Sequence, residues 1–201
     1  MPRYDAEWIE GMIGPRRAAA SPPDQLLDLA RIGIDNRVAD VGCGPGFLTL
    51  PAARRVVPGG VVWALDTSAE MLRLVMSRAT EIGVGSLILP LQVTEGTPLA
   101  LADGEADVAL CSLVLHDLNE EARHVLAREL VRVTRPGGRI LVVELQPSPD
   151  EQRPNRLAPD ACAGILEAAG LRAGPAVALG TMPSSHGQEG MYAVVGQKSP
   201  M

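Results

Sequence analysis

The chain has 201 residues, 46% hydrophobic and 21% charged, a balance that fits a compact fold with a sizeable core and excludes a disordered chain. Its formal net charge of −6 leaves no global basic field for a nucleic-acid backbone, and no apolar run approaches the ~20 residues of a membrane helix. Cys43, Cys111 and Cys162 are odd in number, widely spaced and set among apolar neighbours, which fits neither a disulfide framework nor a zinc site and suits a reducing compartment.

Residues 1–21 read as an N-terminal arm, with Tyr4, Trp8, Ile9, Met12 and Ile13 on one helical stripe. Asp5, Glu7 and Glu10 stand where a signal peptide would need apolar residues, so a cytoplasmic location is expected. The pairs Arg16-Arg17 and Arg54-Arg55 are too short for a nucleic-acid tail and read as solvated faces. Asp24 is read as the cap of a helix over about 25–31. Val38 to Val41 form a short apolar strand, followed by a glycine loop and a helix over about 47–55. A second apolar strand, Val61 to Leu65, ends at Asp66, and Ser68 caps an amphipathic helix that closes near Gly83. Leu87 to Val93 make a third strand, placed at an edge or a bulge by Pro90. Asp107 to Ser112 form a fourth.

A helix over 120–133 stops at Pro136-Gly137-Gly138, and Arg139 to Leu145 form the fifth strand. Residues 146–158 read as a proline-rich loop, Pro159 to Ala169 as a last helix, and two strands follow near 175–179 and 191–196. Strands apolar on both faces that alternate with helices specify a doubly wound, mainly parallel seven-stranded sheet with helices on both faces. The last two strands, with no helix between them, add an antiparallel edge. One domain fills 1–201: the arm, a core over 22–145, and a C-terminal helix with two edge strands over 146–201.

Ligands of such sheets sit outside the carboxyl ends of the strands where strand order reverses. Here the first strand runs directly into Asp40-Val41-Gly42-Cys43-Gly44-Pro45-Gly46, whose glycines allow a tight turn and a close ligand approach. Asp66 follows about 20 residues later, the usual distance for an acid that binds ribose hydroxyls. A dinucleotide fingerprint counted from Gly42 would need a third glycine where Phe47 stands, and a phosphate loop would need a lysine that this stretch lacks. Asp40 beside the loop would repel a pyrophosphate, but it suits a ligand with an ammonium and a sulfonium.

The runs VADVGCGPGFLTL, ALDTS, PLALADGEADVALCSLVLHDL and ELVRVTRPGGRILVVEL, in this order, resemble the class I S-adenosylmethionine-dependent methyltransferases. Among them the chain is similar to the short, free-standing ubiquinone-biosynthesis-type (type 11) group, from about Asp24 to Leu145, with a similar ending in ILEAAGLRAG and MYAVVGQK. The resemblance implies a Rossmann-like fold, S-adenosylmethionine as cofactor and S-adenosylhomocysteine as product. It implies that Gly42, Gly44 and Gly46 face the methionine part, with Asp40 near the amino group and Cys43 and Phe47 also among the cofactor-binding residues. Asp66 would bind the ribose, and Thr67 and Met71 would flank the adenine. Glu95-Gly96 stands where the group usually has Asp-Ala, so a longer acid would meet the adenine amino group. Ser112 and Leu113 would line the methionine side.

Methyl transfer from a sulfonium is an in-line displacement that needs near-attack geometry and, for some acceptors, a base. His116, after the fourth strand, is either that base or a histidine that bonds backbone and shapes the pocket floor. Asp117 reads as a cap or turn residue, His124 as a solvated mid-helix residue, and His186 sits in a loop that can approach the site. Cys43 reads as loop packing. Cys111-Ser112-Leu113-Val114 lacks the Pro-Pro-aromatic pattern of amino-methylating enzymes, and no Pro-Cys pair or RNA-binding module is present. A small-molecule acceptor is therefore expected, with no metal, no nucleic acid and no membrane, and a homodimer is allowed. A macromolecular acceptor, or binding of the cofactor without turnover, are the alternatives. The arm with Tyr4 and Trp8 is either a lid over the pocket or a segment packed on the sheet.

Overall fold

The computed structural model describes residues 6–147, 155–184 and 187–200; Tyr4 and His186 lie outside them. Five parallel strands, β1 (Arg37–Val41), β2 (Val61–Asp66), β3 (Ile88–Gln92), β4 (Ala106–Ser112) and β5 (Thr134–Leu145), are followed by β6 (Leu171–Ala173), β7 (Val177–Ser184) and β8 (Gly187–Lys198). Sheet order is β3-β2-β1-β4-β5-β8-β6, with β7 also paired to β8. Both β6 and β7 run antiparallel along the side of β8 that β5 leaves open, so eight strands fill seven positions. The expected antiparallel edge is present, with β6 added to it.

The helices are α1 (Ala6–Ile13), α2 (Pro15–Ala20), α3 (Pro23–Leu29), α4 (Thr49–Arg55), α5 (Ala69–Glu81), α6 (Glu120–Val133) and α7 (Pro159–Ala168). Alternation along the strands divides the core in two, as a pleated sheet covered on both faces requires. Val38, Val62, Leu110 and Leu141 pack with Leu26, Leu50 and Val75 from α3, α4 and α5. Ala39, Trp63, Ala109 and Val142 pack with Leu130 and Leu166 from α6 and α7 on the other face. No helix among the described residues is long and apolar enough to cross a membrane.

Several local expectations change. The arm is two helices, because Gly14 is extended before Pro15 and starts a second one. Pro22, not Asp24, occupies the N-cap of α3; the Asp24 carboxylate pairs with Arg55 of α4 instead. Arg55 is thus a tie between helices rather than a free solvated cation. α4 begins at Thr49, two residues late, since Gly46 (φ +95°) prolongs the turn after β1. β5 begins at Thr134, because a bulge between the Ala106–Thr134 and Val108–Arg139 pairs absorbs Pro136-Gly137-Gly138. β3 is an edge strand, where Pro90 is tolerated. Ser68 caps α5 as expected, accepting from Met71 N at 3.3 Å, while Asn119 rather than Asp117 caps α6.

The chain's only lysine, Lys198, closes the far end of α6. Its Nζ donates to Val131 O at 2.8 Å and Thr134 O at 2.7 Å, carbonyls that the helix leaves unpaired at its negative end. Lys198→Met should cost about 1–2 kcal/mol of stability. Urea unfolding should show a lower midpoint with an unchanged slope.

Candidate active site

Strand order reverses between β1, whose next neighbour by sequence is β2, and β4 on its other side. The turn that leaves β1 at this point is held by three backbone donors. Gly42 N and Cys43 N both donate to Leu65 O, and Gly44 N donates to Asp66 Oδ2 at 2.8 Å. Gly42 (φ +73°) and Gly44 (φ +51°) take left-handed conformations that side chains disfavour. A Cβ on Gly44 would also lie 2.7 Å from Met12 Cε, so the arm rests on the loop. Asp66 Oδ1 accepts from Ser68 N at 2.8 Å. Each carboxylate oxygen keeps a further acceptor position, the number two vicinal hydroxyls would need.

Two adjoining chambers open above this turn. The first, about 260 Å³, is lined by Gly42, Gly44, Asp66, Thr67, Met71, Glu95, Gly96 and Leu113 among the residues expected from sequence. Met71 is buried, whereas Thr67 and Glu95 stand exposed at the rim. The second, about 380 Å³, gathers Asp40, Gly42, Cys43, Phe47, Ser112, Leu113 and His116. Gly46 lines neither; its Cβ position lies 2.6 Å from Val75 Cγ2, so its role is close packing on α5. Trp8, Met12, Gly42, Leu113 and Asp117 border both chambers. Leu113 has φ +59°, a strained value for a bulky residue, and its N–H is held by Val143 O at 2.8 Å. Met71, Cys43 and the loop glycines offer an apolar, close-fitting floor, and Asp66 and Glu95 offer acceptors: a set that fits a nucleoside joined to an amino acid.

His116 sits in a short turn after β4, and Glu144, near the end of β5, determines its state. Glu144 is fully buried and accepts from Leu115 N at 2.7 Å, Val114 N at 3.2 Å and His116 Nδ1 at 2.7 Å. The carboxylate holds the ring proton on Nδ1, which leaves Nε2 with the lone pair in the neutral ring. Burial disfavours the imidazolium, but the Glu144 hydrogen bond and charge, helped by Asp117, prevail and raise the His116 pKa above 6.5. Asp117 Oδ1 lies 3.5 Å from Nε2. Glu144 was missed in the sequence, although an acid ending the apolar run ILVVEL carries the same signal that marks Asp66.

Arg17 is the largest departure from the sequence reading. α2 buries it to 5% exposure, against the expectation of a solvated face, because the helix carries it onto the second chamber. Its guanidinium lies 4.0 Å above the centre of the Phe47 ring and donates to Met12 O at 2.7 Å and Ser112 Oγ at 3.0 Å. Burial lowers its pKa to about 10, with Asp40 opposing the change. Asp40 is buried as well and accepts from Thr49 Oγ1 at 2.6 Å. Burial pushes its carboxyl up to about 6 against the pull of Thr49 and Arg17. The thiol of Cys43 is likewise raised by burial, which suits packing rather than nucleophilic work. His124 lines neither chamber. No group of His, Cys, Asp and Glu among the described residues is arranged to hold a metal.

Residues 39–142 match the methyltransferase domain family. The chain is 35% identical over 151 residues to nocamycin O-methyltransferase of Saccharothrix syringae, covering 73% of this chain and 48% of the relative. It is 35% identical over 108 residues to the ubiquinone/menaquinone biosynthesis C-methyltransferase UbiE of Bordetella avium, covering 54% and 40%. The chain thus spans about half or less of the length of these relatives. In fold it is similar to a SAM-dependent methyltransferase from Aquifex aeolicus, with a TM-score of 0.80 at 23% identity over 97% of this chain and 99% of the other. With the glycine turn, the terminal acid of β2 and the reversal of strand order in place, the chain belongs to the class I S-adenosylmethionine-dependent methyltransferases of the type 11 group.

Proposed function

We propose that this protein transfers a methyl group from S-adenosylmethionine to a small-molecule acceptor, with His116 taking the acceptor's proton. The observation that carries the reading is the meeting of the two chambers at Gly42, Leu113 and Asp117, with a carboxylate-held imidazole on the second. S-adenosylmethionine supplies an electrophilic methyl on a sulfonium and leaves as S-adenosylhomocysteine. Asp66 accepts from the ribose hydroxyls, Thr67 and Met71 flank the adenine, and Glu95 with Gly96 meets its edge. Gly42, Gly44 and Leu113 set the methionine part against the second chamber, beside Asp40, Cys43, Phe47 and Ser112.

His116 Nε2 removes a proton from the acceptor as the acceptor atom gains the methyl group, and Glu144 and Asp117 stabilise the imidazolium that forms. The names of the relatives divide between oxygen and carbon acceptors, and an acidic hydroxyl or enol activated by this base serves either outcome. The apolar walls of the second chamber, among them Phe47, Leu48, Leu145 and Met182, favour a mainly apolar acceptor over a macromolecule. Trp8 and Met12 act as a cover that keeps water from the reacting atoms. The setting is the cytoplasm, as monomer or homodimer, where the free buried cysteines stay reduced.

Calorimetry should show S-adenosylmethionine binding, weakened at least tenfold (about 1.4 kcal/mol) in Asp66→Ala. No binding to the intact protein would reject the donor assignment. His116→Gln should lower kcat by about 100-fold and leave donor affinity within twofold. Because the base must be neutral, the rate should rise with pH through a value above 6.5, the side to which the His116 pKa is moved. Glu144→Gln should move that limb to lower pH and lower the maximum rate. The same raised pKa makes His116 stabilising below pH 6.5, a contribution lost as pH rises through the folded value.

A further inference from the structure

Arg156 stands in the loop between β5 and α7, beyond the residues 39–142 that match the methyltransferase domain family, and the function proposed above gives it no task. Its side chain is 5% exposed, and Nη2 lies 2.7 Å from Oε2 of Glu189, a side chain itself 10% exposed. Nη1 is buried without a hydrogen-bond partner. A buried pair that leaves a donor unsatisfied is a poor way to stabilise a fold, whereas a spare N–H beside a chamber suits a ligand oxygen.

The position of Arg156 is fixed from three sides. Arg123 of α6 donates from Nε to Leu115 O at 2.7 Å and from Nη2 to Asn155 O at 2.6 Å. The residues just before His116 and just before Arg156 therefore share one guanidinium. Tyr192 OH donates to Leu157 O at 2.8 Å and fixes the residue that follows. Glu189 pairs across β7 and β8 with Met182, part of the wall of the second chamber, and opposed residues of such a pair share a face. Arg156 is thus tied to two walls of that chamber, His116 and Met182, and its charge opposes protonation of His116. It lies behind the chamber surface, and Met182, unbranched and flexible, is the side chain whose shift opens Nη1 to a ligand.

The charges nearby select the kind of oxygen. Glu144 and Asp117 flank His116, and Glu189 already takes Arg156. A ligand entering with a carboxylate would meet three acids against one cation, since Arg17 and Asp40 line the same chamber with opposite charges. A neutral carbonyl meets no such repulsion. The base points the same way, because an imidazole takes a proton readily from an acidic hydroxyl and not from an aliphatic one. A hydroxyl is acidic when the electron pair it keeps is shared with a conjugated carbonyl.

We infer that Arg156 is an acceptor-binding residue whose Nη1 donates to a carbonyl oxygen of the acceptor, and that the acceptor is a hydroxyl compound conjugated to that carbonyl. This rests on the methyl-transfer reading above. His116 takes the hydroxyl proton, and the O–H electron pair spreads to the carbonyl oxygen at Arg156. The methyl then passes to the acceptor's oxygen or carbon, and sulfur keeps the electron pair of the broken C–S bond. The chamber gains no net charge in the first step, because the acceptor becomes anionic as His116 becomes cationic.

The test is calorimetry on the chain saturated with S-adenosylhomocysteine. The probes are 4-hydroxyacetophenone, 4-ethylphenol, which lacks the carbonyl, and 4-hydroxybenzoate, which has a carboxylate in its place. In the wild-type chain 4-hydroxyacetophenone should bind at least tenfold more tightly than either of the others. Arg156→Met should bring its affinity to within twofold of that of 4-ethylphenol, and Arg156→Lys should narrow the difference less. Arg156→Met leaves Glu189 unpaired, so the double variant Arg156→Met with Glu189→Gln is measured beside it and should show the same loss, with S-adenosylhomocysteine still bound. A wild-type ratio near one, a ratio unchanged in both Met variants, tightest binding of 4-hydroxybenzoate, or no binding of any probe would overturn the inference and leave the donor assignment standing. A wild-type chain that does not bind S-adenosylhomocysteine would overturn the donor assignment, and this inference with it.

Discussion

The Asp66 carboxylate accepts a hydrogen bond from Gly44 N on one oxygen and from Ser68 N on the other. It joins the turn after β1 to the start of α5, across the two strands that carry them. Leu65 O, one residue earlier, holds the first two N–H groups of the same turn. The consequence is a loop whose backbone is fixed before any ligand arrives, with left-handed angles that cost little only at glycine. Preorganisation of this kind removes the ordering cost from ligand binding. Asp66, the acid proposed to meet the ribose, is therefore also the brace that shapes the turn.

Around that brace the interior is almost wholly aliphatic, and the exceptions are concentrated. Three charged residues that are buried whole, Arg17, Asp40 and Glu144, gather at the carboxyl edge of β1, β4 and β5. Burying a charge there disfavours the fold, so each is offset by particular partners: Thr49 for Asp40, two backbone N–H groups and His116 for Glu144, the Phe47 face and two oxygens for Arg17. Other ion pairs lie near the surface, as with Arg132 between Glu129 and Asp103, where such pairs contribute little, whereas Arg156 and Glu189 pair at 2.7 Å with their side chains almost covered. The contrast makes this edge the candidate site on electrostatic grounds, because buried charge clusters at functional sites.

What the sequence made legible was local. Gly42 to Gly46, Asp66 and Ser68 carry their meaning in spacing and residue type; Gly42, Gly44 and Asp66 line the first chamber, Ser68 caps α5, and Gly46 packs on α5. Boundaries fell where a nearby residue outweighed the pattern: Pro22 displaced Asp24 as the cap, and a bulge swallowed Pro136-Gly137-Gly138. Arg17 was out of reach for a different reason. Beside Arg16 it looks like half of an exposed basic pair, and only the packing of a six-residue helix against the sheet turns it inward. Glu144 was within reach, since the rule that singles out an acid at the end of β2 applies equally at the end of β5.

The arm shows why the site cannot be divided into a core that binds and a segment that covers. Met12 Cε lies 2.7 Å from where a Cβ at position 44 would stand, so the arm rests on the loop, while φ +51° is what favours glycine there. The Met12 carbonyl and the Ser112 hydroxyl meet on the Arg17 guanidinium, which links α1, α2 and the end of β4 through one buried cation. Trp8 borders both chambers from the same arm. The turn, the arm and the end of β4 are thus one packed unit, tied through residues that lie before β1 in the chain.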